Sequence, residues 1–254
     1  AYKSLAVNLS DLAAMGATPR WALLSLSLPR ANPKWVRQFS EGFVSLAQTH
    51  NVTLVGGDTT SGPLSISLTA LGTTEPGRQL TRHGAKPGDL LVVSGTIGGA
   101  AFALEKLLAG KHAEERHLLE RPIPRVSLGQ ALVGYANACI DISDGLLADL
   151  GHVLKASGCG ARLNLDELPC SEGLAGLEDE EKWRYQLTGG DDYELLFTLP
   201  RSHRAQLVNW SKRLGIELTV IGEIGKEQGI RCLDADGLEY LPQGTGFEHF
   251  GQNK

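Results

Sequence analysis

The 254 residues predict an α/β protein in two units, and three observations carry that expectation. Apolar strand-like runs alternate with helical periodicities along most of the chain. Three acidic strings, Gly56-Gly57-Asp58-Thr59-Thr60, Asp141-Ile142-Ser143-Asp144-Gly145 and Gly189-Gly190-Asp191-Asp192-Tyr193-Glu194, stand at the ends of such runs, beside glycines or at a helix start. Ligands gather at such places in α/β sheets. A content of 42% apolar and 21% charged residues is that of a globular chain with enough material for one large core or two ordinary ones.

The elements follow in order. Leu5, Leu9 and Leu12, joined by Val7 and Met15, recur with helical period until Gly16 and Pro19 break it. Ser4, Asn8 and Asp11 form a polar stripe on that helix. Residues 21–29 read as a strand. Pro33 opens an amphipathic helix carrying Trp35, Phe39, Phe43 and Leu46, and strands follow at about 52–56 and 64–72. The first unit closes in the stretch Arg78–Pro87, which puts the boundary at residue 80: units 1–80 and 81–254. In the second unit Leu90–Ser94 is a strand, and Gly95-Thr96-Ile97-Gly98-Gly99 opens a helix through about Ala109. A helix near 126–137, the strand Cys139–Ile142 and a helix at 145–157 come next. Strands are expected near 160–165, 193–199 and 217–224, with a helix at about 201–214.

Composition excludes several classes. A formal charge of −5 provides no basic footprint for nucleic acid, so an anionic ligand must rely on local Arg and Lys, helix N-termini or metal ions. Cys139, Cys159, Cys170 and Cys232 lack C-x-x-C spacing and are expected to be reduced, mostly buried thiols. No apolar run reaches the roughly 18 residues of a membrane span, and Asn8, Ser10 and Asp11 interrupt the opening stretch too early for a signal peptide. The expected compartment is the cytoplasm. The seven His form no zinc pattern, and no G-x-S-x-G elbow, P-loop or protein-kinase string is present.

The acidic strings carry the chemistry. Asp58 follows Val52-Thr53-Leu54-Val55 and two glycines, which permit close approach of a ligand or simply turn the chain. Asp141, between Ile140 and Ile142, is costly to bury unless a metal or donor satisfies it. Asp144 sits where an N-cap belongs, ahead of Gly145-Leu146-Leu147. Three carboxylates within Asp191–Glu194 raise one another's pKa unless a cation or donors intervene; the alternative is a solvated loop. Asp11 lies among small and apolar neighbours that suggest a partly enclosed stripe; the alternative is a solvated helix face. Arg82, at the connection between units, suits a phosphate clamp, although most lone Arg residues are solvated. The glycines of 95–99 suit packing better than phosphate binding, lacking the Lys-Ser/Thr ending. Acidic side chains beside bare backbone amides are consistent with Mg²⁺ placed between protein and polyphosphate, which points toward ATP.

Taken together, Asn8-Leu9-Ser10-Asp11-Leu12-Ala13-Ala14-Met15-Gly16-Ala17-Thr18-Pro19, Gly56–Thr60, Leu80–Asp89, Asp141–Gly145 with Asp149-Leu150-Gly151, and Gly189–Phe197 resemble the thiamine-monophosphate kinase family. That family belongs to a superfamily with aminoimidazole ribonucleotide synthetase and selenophosphate synthetase. The resemblance implies a two-domain fold of mixed α+β sheets, with 1–80 binding ATP and Mg²⁺ and forming a homodimer, and 81–254 as the larger domain. It implies ATP-dependent phosphorylation of thiamine monophosphate to thiamine diphosphate by direct in-line transfer assisted by several Mg²⁺ ions, without a protein nucleophile.

By matched position the resemblance implies Asp11, Asp58, Asp141 and Asp144 as Mg²⁺ ligands, Gly57, Asp58, Arg82 and Ser143 as ATP contacts, and Asp191 and Phe247 as residues that hold the thiamine moiety. A thiazolium can stack on an aromatic face such as Phe247; a core aromatic is the other reading. Family members carry, ahead of the stretch matched here, a Gly-Asp-Asp string and a second Asp-containing strand that supply further ligands. Nothing in these 254 residues corresponds to them, so the expectation is a partial metal cage. The competing readings are another ATP-dependent enzyme of the superfamily, a catalytically incomplete nucleotide-binding fragment, and a metal-dependent phosphohydrolase.

Overall fold

A computed structural model describes residues 1–244, 246 and 247. The chain begins with helix α1 (Tyr2–Ala14), whose Leu5, Leu9 and Ala13 are fully buried, as the helical spacing predicts. Strand β1 (Thr18–Leu28) follows, then α2 (Pro33–Thr49), which Asn32 caps by accepting from the Trp35 amide at 3.2 Å. Strands β2 (Thr53–Ser61) and β3 (Ser65–Thr73) flank β1 in a three-stranded sheet, β2 parallel and β3 antiparallel to it. Parallel pairing requires the crossover that α2 supplies.

The second sheet has seven strands in the order β10-β9-β6-β8-β4-β7-β5. Its members are β4 (Leu90–Ser94), β5 (Ala138–Asp141), β6 (Gly160–Asn164), β7 (Leu195–Leu199), β8 (Leu218–Gly225), β9 (Gly229–Leu233) and β10 (Glu239–Tyr240). Only the β6–β9 pairing is parallel, so the sheet is mixed, in keeping with the expected fold class. The helices of this part are α3 (Gly99–Leu108), α4 (Arg116–Glu120), α5 (Val126–Leu132), α6 (Leu146–Ser157), α7 (Asp179–Thr188) and α8 (Arg204–Leu214).

Strand β4 is buried on both faces, and its side chains alternate between two cores. Leu91 and Val93 join Ile140, Leu196 and the apolar face of α6. Leu90 and Val92 join Cys139, Phe197, Leu207 and Trp210 in a cluster that also holds Leu5, Leu9 and Ala13 of α1. Burying Leu5 and Leu9 contributes about 1.5–3 kcal/mol each. Helix α1 thus packs on β5 and β7 of the large sheet as well as on β1 and β3 of the small one. This brings Asp11 to the end of β5.

Several expectations were displaced. The helix expected over 126–137 stops at Leu132, because Gly134 turns the chain with φ +84°. Helices α4 and α7 and strands β9 and β10 were not anticipated. All four cysteines are free thiols, and Cys139, Cys159 and Cys232 are buried. Among the described residues no helix is long and apolar enough to cross a membrane.

Candidate active site

Two of the acidic strings form one structure. Strand β5 ends at Asp141 opposite Leu195, the first residue of β7. Pairing continues past the strand ends: the Ile142 amide donates to the Glu194 carbonyl and the Tyr193 amide to the Ile142 carbonyl, both at 2.8 Å. The Asp191 amide donates to the Ser143 carbonyl at 2.9 Å. At the start of α6, one oxygen of the Asp149 carboxylate accepts from the amides of Ser143, Asp144 and Gly145 at 2.9, 3.0 and 3.2 Å. The capping role expected for Asp144 therefore belongs to Asp149, which reaches back from the first turn where the helix dipole favours a carboxylate. Burial lifts the Asp149 carboxyl above its usual range, and the three amides oppose the rise. The Asp144 side chain is consequently half-buried at the surface, and its carbonyl accepts from the Phe247 amide at 2.9 Å.

The three carboxylates of 191–194 divide into separate tasks. Asp192 turns inward and accepts from the Gly98 amide at 2.8 Å, tying the string to the start of α3. Although part of its surface reaches solvent, enclosure by its neighbours pushes its carboxyl well up. Glu194 is buried and paired with Arg125 through two hydrogen bonds, one of 2.7 Å from Nε, and it accepts from the Ser94 hydroxyl. Asp191 faces outward, where it meets Lys3 Nζ at 2.9 Å and accepts from the Tyr193 hydroxyl at 3.0 Å. Asp191 and Tyr193 have left-handed backbones, φ +73° and +53°, a conformation held by the amide bonds just described. The solvated-loop alternative fails for this string.

Asp141 and Asp11 are the pair with unsettled charge. Asp141 is 4% exposed, and burial lifts its pKa to about 6, with the neighbouring Asp11 charge adding to the rise. Asp11 is exposed on α1 but crowded enough to be raised as well, while Arg82 pulls it down. Arg82 thus stands within electrostatic reach of Asp11. A buried carboxylate raised by its burial and further by a neighbouring acid at the end of a strand fits a divalent cation, which would relieve both effects. Among the described residues no group of three or more His, Cys, Asp or Glu side chains is close enough together to hold a metal ion. Asp11 and Asp141 alone therefore do not make up such a group.

Asp58 and Gly57 stand apart. Asp58 lies within β2 rather than at its end, opposite Ser25, and accepts from the Thr59 amide at 2.8 Å. Parallel pairing runs on to Ser61 because Gly57, φ +141°, lets β2 approach Leu24; a Cβ there would collide with the Leu24 carbonyl oxygen. The β1 backbone alone thus accounts for Gly57. Asp58 and Gly57 line a shallow depression of about 490 Å³ on the small sheet. Among the described residues no hydrogen bond or ion pair joins Asp58 to Asp11 or Asp141. Phe247 is exposed and lines a cavity of about 880 Å³ with Asp144, Leu147, His152, Ile230 and Cys232. Sequence reasoning missed Lys3 and the partner of Glu194, since neither carries any local signal.

The patterns of two family domains match the chain: AIR synthase related protein, N-terminal domain, over residues 1–74, and its C-terminal domain over 86–234. The thiamine-monophosphate kinase of Haemophilus influenzae is 43% identical over 266 residues, covering 100% of this chain and 80% of its own. The crystal structure of thiamine-monophosphate kinase from Stenotrophomonas maltophilia K279a superposes with a TM-score of 0.89 at 45% identity, over 93% of this chain and 78% of that one. AaThiL complexed with AMPPCP and TMP superposes with a TM-score of 0.82 at 33% identity, over 98% and 79%. With the paired acidic strings and the Asp11 helix in family order, the chain belongs to the thiamine-monophosphate kinase family.

Proposed function

We propose that this chain phosphorylates thiamine monophosphate to thiamine diphosphate with ATP, by direct in-line transfer. The observation that carries the proposal is the buried Asp141 with the exposed Asp11 beside it, next to the Asp191 string in a chain of this family. One solved relative was captured with the ATP analogue AMPPCP and with TMP, which supports the same two substrates here.

In this proposal Asp11, Asp58, Asp141 and Asp144 hold Mg²⁺. When bound, Mg²⁺ neutralises charge between the two phosphates. Gly57, Asp58, Arg82 and Ser143 contact ATP, and Asp191 and Phe247 hold the thiamine moiety. The protein's own part is orientation: Asp149 fixes the amides of 143–145, and the Arg125–Glu194 pair fixes the base of the 191 string. Arg82 supplies positive charge next to Asp11. No side chain needs to act as a nucleophile, since phosphoryl transfer depends on positioning and electrostatics. The small sheet exposes Trp21, Leu23, Leu54, Val55, Ile66 and Leu71, which supports a homodimer formed through the first unit.

A coupled assay offering ATP and thiamine monophosphate tests the reaction, with formation of thiamine diphosphate as the expected result. Release of phosphate without that product would sink it and favour a phosphohydrolase. Asp58→Asn and Asp141→Asn should each abolish Mg²⁺-dependent ATP binding in calorimetry while the fold persists. Unchanged nucleotide affinity in both would refute the metal assignment.

A further inference from the structure

Lys3, near the start of α1, sits 2.9 Å from Asp191 Oδ1, with its ammonium 5.8 Å from the Tyr193 ring centroid. The pair is partly open to solvent, 32% and 35% exposed, so it contributes little to stability. Yet the chain maintains it at a cost. Asp191 and Tyr193 adopt left-handed backbones on either side of Asp192, and three main-chain bonds to residues 142 and 143 hold the string there. Tyr193 then donates to the same Oδ1 that meets Lys3. Strain of this kind persists where surrounding structure over-determines it, typically at ligand clamps. The arrangement presents two opposite charges side by side, accessible from solvent and bordered by an aromatic ring.

We propose that Lys3 is a specificity-determining residue: the Lys3–Asp191 pair opens to receive a substrate that carries both a ring cation and a phosphate, with Asp191 taking the cation and Lys3 the phosphate. The proposal rests on the kinase reading above and names how the acceptor is recognised. Thiamine monophosphate has both charges, a thiazolium and a phosphate. Exchange of partners leaves each protein charge compensated in the free and the bound state, so neither is stranded during binding. An ammonium is a suitable point charge for a phosphate, whereas Asp191 could not approach that group without a counter-ion. The pair also discriminates: thiamine lacking its phosphate must compete with Lys3 for Asp191 and has nothing to offer the ammonium in return.

The test is calorimetric titration of the chain with thiamine monophosphate and, separately, with thiamine, in Mg²⁺ buffer without nucleotide. Lys3→Gln should weaken thiamine monophosphate about tenfold, the scale of one lost charge-assisted hydrogen bond. The same variant should bind thiamine as well as or better than the parent, because a competitor for Asp191 has gone. Lys3→Arg should restore most of the loss. In turnover the change should enter KM for thiamine monophosphate and leave KM for ATP unmoved. Equal weakening of both ligands would overturn the proposal and assign Lys3 to holding the loop; no change in either would overturn it too. Thermal unfolding separates these results from misfolding, since so exposed a pair should shift Tm little. Absence of thiamine diphosphate formation by the parent chain would count against the kinase reading, whereas the ratio of the two affinities bears on Lys3 alone.

Discussion

Replacing Asp141 by Asn should make the metal-free protein more stable, and the size of the gain follows from its surroundings. At 4% exposure, its carboxyl is lifted from 3.8 to about 6 by burial and by Asp11. Each unit corresponds to about 1.36 kcal/mol, so ionised Asp141 costs the folded state about 3 kcal/mol. A folded-state pKa above the unfolded one favours the protonated acid. The cost is therefore absent below pH about 4, grows as pH rises through about 6, and is complete above about 7. Asn keeps the shape and removes the charge, at some expense for burying an amide, leaving a net gain of about 2 kcal/mol at pH 8. For a chain of this size that is a rise in Tm of roughly 4–8 °C. Thermal unfolding of both proteins in metal-free buffer from pH 4 to 8 is the assay. The curves should coincide near pH 4 and diverge with increasing pH, and added Mg²⁺ should raise Tm at pH 8 in the parent alone. A variant that melts at or below the parent at pH 8, or that retains the parent's pH dependence, would refute the reasoning.

Further outcomes follow from the supports of the site. Arg125→Met leaves Glu194 buried without its cation and should cost about 3–5 kcal/mol in urea denaturation; a loss below 1 kcal/mol would show that Glu194 finds another partner. Gly57→Ala forces a Cβ against Leu24 and a left-handed backbone on alanine, which should cost about 2 kcal/mol or more and loosen β2 from β1. Faster amide exchange in Leu54–Ser61 is the expected signature, and unchanged exchange would return Gly57 to a role in ligand approach alone.

The elements legible in the chain were those whose apolar period is strong. Leu5, Leu9 and Ala13 mark α1, and the unbroken Leu90–Val93 run marks a strand buried on both faces. Helix α7 escaped because Asp179, Glu180, Glu181 and Lys182 dominate its first half, and burial rests on Trp183, Tyr185 and Leu187. Strands β9 and β10 are short and lie at the sheet edge, where half the side chains meet water and the pattern weakens. At the site, Asp141 was legible because a carboxylate between isoleucines is physically expensive. The task of Asp149 was not, since a helix start with Asp at 144 and again at 149 offers two candidates, and only the backbone path decides between them. Lys3 and Asp191 lie far apart in the sequence, and the contact that pairs them depends on how α1 docks.

That docking has a mechanical consequence. The boundary between residues 74 and 86 separates the two family domains, yet Leu5 and Leu9 share a core with Phe197 and Trp210. A chain cut at the boundary would strip the large sheet of one wall and expose the face of α1 that packs on it. The separation between Asp11 and Asp141 is therefore set by packed side chains rather than by an adjustable joint, and ligands must conform to a spacing fixed when the chain folds.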